Sequence, residues 1–438
     1  MKYLIITLLF LNLSINLLSQ IKTKIGSQEE SIYPLSLNQP NINSDLMPLK
    51  ALFENREIIG MGEATHGTKE FFELKAKTFK FLATECNFKV FTIEASAGGC
   101  SYINDYVQSG VGNIDSLMHF FDFWIWRTEE VKELVLWMKN YNQQKIESEK
   151  ISFYGFDMQN IHSPIKYLND VLKNDSTINF KEFQTIVKPV LSKTQLQIKG
   201  LLNDKKQKFH DTLANVNNGI IRWLAENKFN LKLNHTSLQY ERISYCIENF
   251  SQASGTKQIT YKYRDSCMAN NVLKIQKIEN AKMFLWAHNG HINLTYAKDN
   301  DVKFLGVPMS GIIKKTLETK YYSIGFVFNQ GSFQALTEAS IISKHSKIMK
   351  DLSSEVQECT VPVYRKNTFT SALSETNLDA FFIDLNSTTN PLFTTSKYTY
   401  DCGAMFYNFK FNSLEIIAKK QFDGLIYIDK TRRADPVK

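Results

Sequence analysis

The chain has 438 residues, of which 43% are hydrophobic and 13% aromatic, and its formal charge is +8. That apolar content excludes a disordered chain, and the length allows one large domain with an insertion, or two domains. Lys and Arg are scattered without a basic arm or basic helix, so the charge serves solubility and argues against nucleic acid as a partner.

The N-terminus reads as an export signal. Lys2 precedes a run of mostly Leu and Ile from Tyr3 to Leu18, and polar sequence resumes after Gln20. With residues 1–20 removed as a signal peptide, the charge is +7. The apolar run is shorter than the roughly 20 residues of a membrane span, and no later run qualifies, so no stable membrane insertion is expected after cleavage. No cysteine precedes Cys86, which argues against a lipid-anchored N-terminus. The expected location is periplasmic or secreted. The six cysteines show no metal-like spacing, and their pairing stays open.

Residues 21–57 form a polar lead-in with Pro34, Pro40 and Pro48, closed by a short helix. An apolar run, Ile58-Ile59-Gly60-Met61-Gly62, then leads into Glu63 and His66. Phe72, Ala76, Phe79 and Ala83 follow at helical spacing, with Thr68 as the cap and Glu70 in the first turn. Strand, tight turn and helix place Glu63 and His66 at a strand's carboxyl end beside a helix N-terminus, where open α/β sheets build their sites. Histidine moves protons near neutral pH, and a nearby carboxylate fixes its tautomer and raises its basicity.

Lys89 to Ser96 reads as a second strand, with Glu94 near its end, followed by a Gly98-Gly99 turn and a helix around Tyr102 to Val107. The aromatic stretch Phe121 to Arg127, with Trp124 and Trp126, has the character of a wall for an apolar ligand. Thr128 caps a helix whose apolar face is Val131, Leu134, Val135, Met138 and Tyr141. Ile151 to Asp157 is a third strand, and Asp157 either joins the site or caps the next helix. These recurring β–α units predict a mostly parallel sheet flanked by helices, with residues 21–165 as the first part of an α/β catalytic domain.

From 166 to 274 strand signals vanish, and a helical insertion is expected, either as a lid over an apolar cleft or as a structural subdomain. The sheet resumes over 275–438 with Ala281–Ala287, which runs into His288 and His291, and with strands at Tyr321–Phe328, Ala380–Leu385 and Gly424–Ile428. Glu63, His66, Glu94, His288 and His291 all follow or end apolar strands, and a parallel sheet brings such ends to one edge. His119, His162, His210, His235 and His345 have no such context.

There is no GxSxG elbow, dinucleotide fingerprint, P-loop or HExxH motif. Three readings remain. A His/carboxylate set activates water directly, or Glu63, His66, Glu94 and His288 hold a metal that lowers the pKa of bound water. The third is a non-enzymatic exported protein that binds a hydrophobic or haem-like ligand in a cleft with Trp124, Trp126 and Trp286.

Six segments, with Glu94, together resemble the erythromycin esterase family over nearly the whole mature chain. They are Gly62-Glu63-Ala64-Thr65-His66-Gly67 with Glu94, Phe123-Trp124-Ile125-Trp126, Gly155-Phe156-Asp157-Met158-Gln159, Arg264-Asp265-Ser266-Cys267-Met268-Ala269, Trp286-Ala287-His288-Asn289-Gly290-His291 and the closing Phe422 to Thr431. The resemblance implies an α/β fold with a helical portion over the cleft. It also implies a hydrolase that opens the macrolactone ester of 14-membered macrolides and so inactivates the antibiotic, without a covalent serine and without a required metal or other cofactor. Residue by residue, it makes His66 the general base and Glu63 the group that orients it. Glu94 and His288 complete the site, with His291 close by. Asp157, Arg264, Trp124 and Trp126 fall in matching motifs and are expected to contact substrate. Lys75 stands where the family pattern carries Arg, and is expected to offer charge to the oxyanion without a planar fork. The expected partner is a small-molecule ester, and another ester remains the alternative substrate.

Overall fold

The computed structural model describes residues 20–26, 28–37, 43–203, 207–256, 258–337, 356–363, 368–408 and 410–437. The export signal, save Gln20, and His345 lie outside them. The strands are β1 Ile21–Ile25, β2 Gln28–Pro34, β3 Ile58–Met61, β4 Phe88–Ser96, β5 Ser152–Asp157, β6 Lys282–Trp286 and β7 Tyr321–Thr337. They continue with β8 Gln357–Val361, β9 Ala380–Asp384, β10 Lys397–Tyr400, β11 Met405–Phe406, β12 Ser413–Ile416 and β13 Gly424–Thr431.

One large sheet runs in the order β1-β2-β9-β13-β7-β3-β6-β4-β5. From β13 to β5 every neighbour is parallel. These strands read as near-continuous apolar runs because helices cover both faces. Side chains of β6 alternate between two cores: Met283 and Leu285 face one, Phe284 and Trp286 the other. The second core also takes the apolar sides of the helices Lys69–Glu85 and Glu129–Asn142, with Phe79 and Phe91 packed edge to face at 4.9 Å.

Two expectations are corrected. Residues 21–34 of the polar lead-in, where no strand was expected, form an antiparallel hairpin turned at Gly26 (φ +60°) and joined to the sheet through β2 and β9. Ile25 and Ile32 are its buried anchors, and the apolar–polar alternation of Ile21, Thr23 and Ile25 is the strand signal. β7 also runs nine residues past Phe328, turning at Gly331 (φ +125°), where a Cβ would meet the Thr431 carbonyl oxygen at 2.2 Å.

Between β5 and β6 the described residues form helices from His162–Leu172 through Tyr261–Glu279. β5 is an edge strand, and this helical layer closes it. Tyr245 Oη donates to Gly155 O at 2.7 Å, and the amides of Asn271 and Asn249 donate to Phe156 O (2.8 Å) and Asp157 O (3.0 Å). Edge carbonyls buried in this way need such partners. Among the described residues no helix is long and apolar enough to cross a membrane.

Candidate active site

β3 and β4 flank β6, so Glu63, Glu94 and His288 converge at one sheet edge. The approach is close. Asn289 receives Phe326 N–H on Oδ1 (3.1 Å), donates through Nδ2 to Phe326 O (2.8 Å) and gives its backbone N–H to Glu63 O (2.9 Å). A Cβ on Gly62 would lie 2.1 Å from Asn289 Oδ1, which is why the turn after β3 carries glycine there. In β4 the pairing with β5 shifts register between Ile93 and Ser96, a bulge that lies beside Glu94.

Glu63 is fully buried. Its Oε1 lies 2.6 Å from His66 Nδ1, while Oε2 accepts from Lys75 Nζ (2.5 Å) and Trp286 Nε1 (2.8 Å). Burial pushes the carboxyl up, but Lys75 and His66 together outweigh it and hold it below the usual carboxylate range. Lys75 is sealed among aromatic rings, 4.4 Å from the Trp286 centroid, and burial lowers its ammonium to about 8 against the pull of Glu63. The carboxylate on Nδ1 leaves His66 Nε2 for the cavity that the residue lines.

Glu94 sits in a second cluster. Arg264 Nη2 donates to its Oε1 at 2.5 Å, and His288 N–H donates to its Oε2 at 3.0 Å. Arg264 also forks onto Asp157, through Nε to Oδ1 (3.2 Å) and Nη2 to Oδ2 (2.9 Å). Burial would raise Glu94, but His291 and Arg264 hold it well below the usual range. His291 Nδ1 lies 2.5 Å from Asp265 Oδ1 and its Nε2 3.3 Å from Glu94 Oε1. Burial opposes a charge on that ring, yet the two carboxylates raise it to about 10. Arg264 Nη1, 2.9 Å from Nε2, pulls the other way, since it can donate only to an unprotonated nitrogen. With Glu94, Asp157 and Asp265 all packed against the pair, we take the upward direction.

His288 differs from both other histidines. Its Nδ1 accepts the Gly290 N–H (3.1 Å), which puts the ring proton on Nε2, and Nε2 lies 3.5 Å from Asp401 Oδ1. Burial and the neighbouring His66 lower it to about 3, so it stays neutral. The His66 and His288 rings are 5.0 Å apart.

These groups open onto a cavity of about 490 Å³ lined by His66, Glu94, Trp124, Arg264, His288 and His291 together with Phe123, Tyr261, Tyr296 and Leu305. The structure thus brings together most of the predicted residues and sets four behind the surface, Glu63 directly behind His66 and three others. Lys75 does not reach an oxyanion; its ammonium is spent on Glu63. Trp126 is core, donating through Nε1 to Glu94 O (3.1 Å) and packing on Trp286. Asp157 neither lines the cavity nor caps a helix: it accepts from Met158 N–H (2.7 Å) and holds Arg264. Among the described residues of the helical layer, Tyr261 and Arg264, in the first turn of Tyr261–Glu279, line the cavity, and the layer packs along β5. Further walls come from loops near residues 123, 296 and 403. His119, His162, His210 and His235 are not among the lining residues.

The donor set fits a metal poorly. Glu63 Oε2 already accepts from lysine and indole, Glu63 Oε1 pairs with His66, and the two Glu94 oxygens accept from arginine and a backbone N–H. Among the described residues no three His, Cys, Asp or Glu side chains are grouped to hold an ion. All six cysteines are buried and unpaired.

Asp265, Asp401, Tyr261 and Tyr296 were not legible as site residues. Asp265 shares a helical turn with Arg264, and its role appears only when His291 is packed against it. Asp401 lies on a loop after a strand that the sequence did not announce.

A mostly parallel, helix-flanked sheet with a carboxylate-held histidine at its strand ends defines an α/β protein with an acid–base site. The chain belongs to the erythromycin esterase family, whose model matches residues 83–431. That match takes in Glu94, Asp157, Arg264, His288 and His291, and begins after Glu63, His66 and Lys75. Erythromycin esterase type II of Escherichia coli is 26% identical over 334 residues, covering 69% of this chain and 76% of that protein. The crystal structure of a succinoglycan biosynthesis protein superposes with a TM-score of 0.74 at 22% identity, over 93% of this chain and 96% of that one. An erythromycin esterase mutant, EreC, in its open conformation gives 0.67 at 17% identity, over 92% of this chain and 98% of that one. Both structures bear on the fold, and family membership supports a hydrolase function.

Proposed function

We propose that the protein is an exported carboxylic ester hydrolase that opens the macrolactone of a 14-membered macrolide with water activated by His66, without a serine nucleophile or a metal. The observation that carries this reading is the 2.6 Å pairing of His66 Nδ1 with Glu63, which leaves Nε2 as a base toward the cavity. Water attacks the carbonyl carbon and gives its proton to Nε2. The oxyanion meets an Nη1 hydrogen of Arg264, whose Nε and Nη2 hold Asp157 and Glu94. The imidazolium then protonates the alkoxide as the C–O bond breaks, giving an acid and an alcohol. A neutral His288 at 5.0 Å lets His66 gain that proton without like-charge repulsion. The E. coli relative's name supports the macrolide substrate.

A second reading, a smaller ester, is favoured by one observation: a glycosylated macrolactone would extend beyond a cavity of about 490 Å³. The test is mass spectrometry of erythromycin incubated with the protein and with a His66→Ala variant. Gain of one water with the wild type alone supports the proposal. Turnover by the variant overturns the base assignment, and turnover only of small esters selects the second reading.

A further inference from the structure

The turn that carries His66 is held by a distant part of the chain. Gly67, at φ +66°, follows the histidine directly, and its carbonyl oxygen accepts two backbone N–H groups, from Ala434 at 2.9 Å and from Gln334 at 3.1 Å. Both lone pairs of that oxygen are thereby used. Gln334 Nε2 donates to Ala434 O at 2.5 Å, so the three residues close one ring of hydrogen bonds. Ala434 and Gln334 are both buried. The turn also abuts the cavity wall, since a Cβ on Gly67 would lie 3.3 Å from Trp124 Cζ3.

Ala434 belongs to a short segment, Arg432–Val437, that follows β13 and crosses two helix N-termini. At the first, Lys69 N–H donates to Arg432 O at 2.9 Å, and the buried Glu70 accepts from Arg432 N–H at 2.7 Å and Arg432 Nε at 2.8 Å. At the second, Glu130 accepts from Asp435 N–H at 3.0 Å, and Glu129 N–H donates to Asp435 O at 2.8 Å. Val437 N–H then reaches Arg127 O at 3.1 Å, at the end of the aromatic stretch whose Phe123, Trp124 and Ile125 line the cavity. No residue of this segment lines the cavity itself. A turn with a glycine at positive φ gains little stiffness from its own chain, so its aim depends on what it is tied to.

We propose that Arg432–Val437 is a positioning strap for the ester reaction: its first half fixes the turn that aims His66, and its second half fixes the aromatic wall against which the substrate lies. The inference rests on the hydrolase reading, which makes His66 the base. A base must be placed closely to act, and a shift of about 1 Å caused far from the chemistry can cost about 10²-fold.

The test uses the full chain and three variants. Gln334→Met keeps the Cβ and Cγ that pack beside Gly67 and removes the donor to Ala434 O. Arg432→Ala removes a side chain that is 64% exposed, so the fold survives it, and Arg432→Lys keeps a cation for Glu70. With erythromycin and p-nitrophenyl acetate as substrates, kcat should fall about tenfold in Gln334→Met and about threefold in Arg432→Ala, with KM within about twofold and Arg432→Lys close to wild type. In protein labelled with ¹³C-histidine, the His66 ring signal, assigned by its loss in His66→Ala, should move or broaden by exchange in both weakened variants while that of His235 stays. A His66 signal unmoved in both, an unchanged kcat in both, or a loss confined to KM overturns the strap. Should Gln334→Met fail to fold, Arg432→Ala against Arg432→Lys decides by the same readings. If the wild type cleaves neither ester, the hydrolase reading fails by itself, and the His66 signal alone upholds or overturns the strap.

Discussion

Glu63 and Glu94 end or nearly end two strands on either side of β6, and both are buried and held by cations, yet their surroundings are built for opposite tasks. Glu63 faces one lysine, so the pair behind His66 is close to neutral. Glu94 belongs to a cluster of Arg264, His291, Asp157 and Asp265 whose charges lock one another in place. The comparison teaches that the same residue type at equivalent strand ends becomes the partner of one histidine or part of a charge scaffold according to what packs beneath it. Preorganised charge of the second kind stabilises an oxyanion without reorganising.

The largest expected effect breaks the first arm. Glu63→Gln keeps the shape but removes the charge, and kcat for ester hydrolysis should fall about 10²–10⁴-fold. It also strands the buried Lys75 ammonium, and urea unfolding should show a loss of about 3–5 kcal/mol. Retained turnover would erase the distinction between the arms.

Arg264→Lys probes the second arm. Lysine keeps a charge but cannot fork onto Asp157 while reaching Glu94, so kcat should drop about 10²-fold. The shape of the pH profile should persist, because the base lies on the other arm. A changed profile in steady-state kinetics would show that the arms are not separate.

Lys75→Arg sharpens the comparison through pH. The lowered Lys75 loses its proton as pH rises through about 8, leaving Glu63 without its cation, so wild-type activity should decline there. Arginine stays charged, and the alkaline limb should move upward while activity near pH 7 changes only about twofold. A limb that stays at the same pH would assign it to another group.

The smallest effect is on stability. Burial raises Asp401 from 3.8 to about 8, so in that window the folded state binds more protons than the unfolded one. Stability therefore falls as pH rises through the window. Asp401→Asn should raise stability by about 1–3 kcal/mol at pH 9 and leave it nearly unchanged at pH 4, measured by urea unfolding. An equal gain at both pH values would remove Asp401 from the set of perturbed groups.

The sequence by itself determined the strands from β3 to β6, the helix after His66, and the identity of the convergent groups. Those features are local: apolar runs, helical spacing and glycines beside a carboxylate follow from chain stereochemistry alone. It also carried the family resemblance, because the motifs stand in order along the chain. Tertiary structure alone decided that Lys75 lies under Glu63, that Trp126 and Asp157 serve the core and the Arg264 fork, and that Asp265 and Asp401 reach the site. It also decided that the helical layer seals the edge of β5 while loops near residues 123, 296 and 403 wall the cavity. The physical reason is that a side chain's role depends on which distant residues satisfy its charge and hydrogen bonds once water is excluded. Those partners lie tens to hundreds of residues away, where no spacing rule reaches.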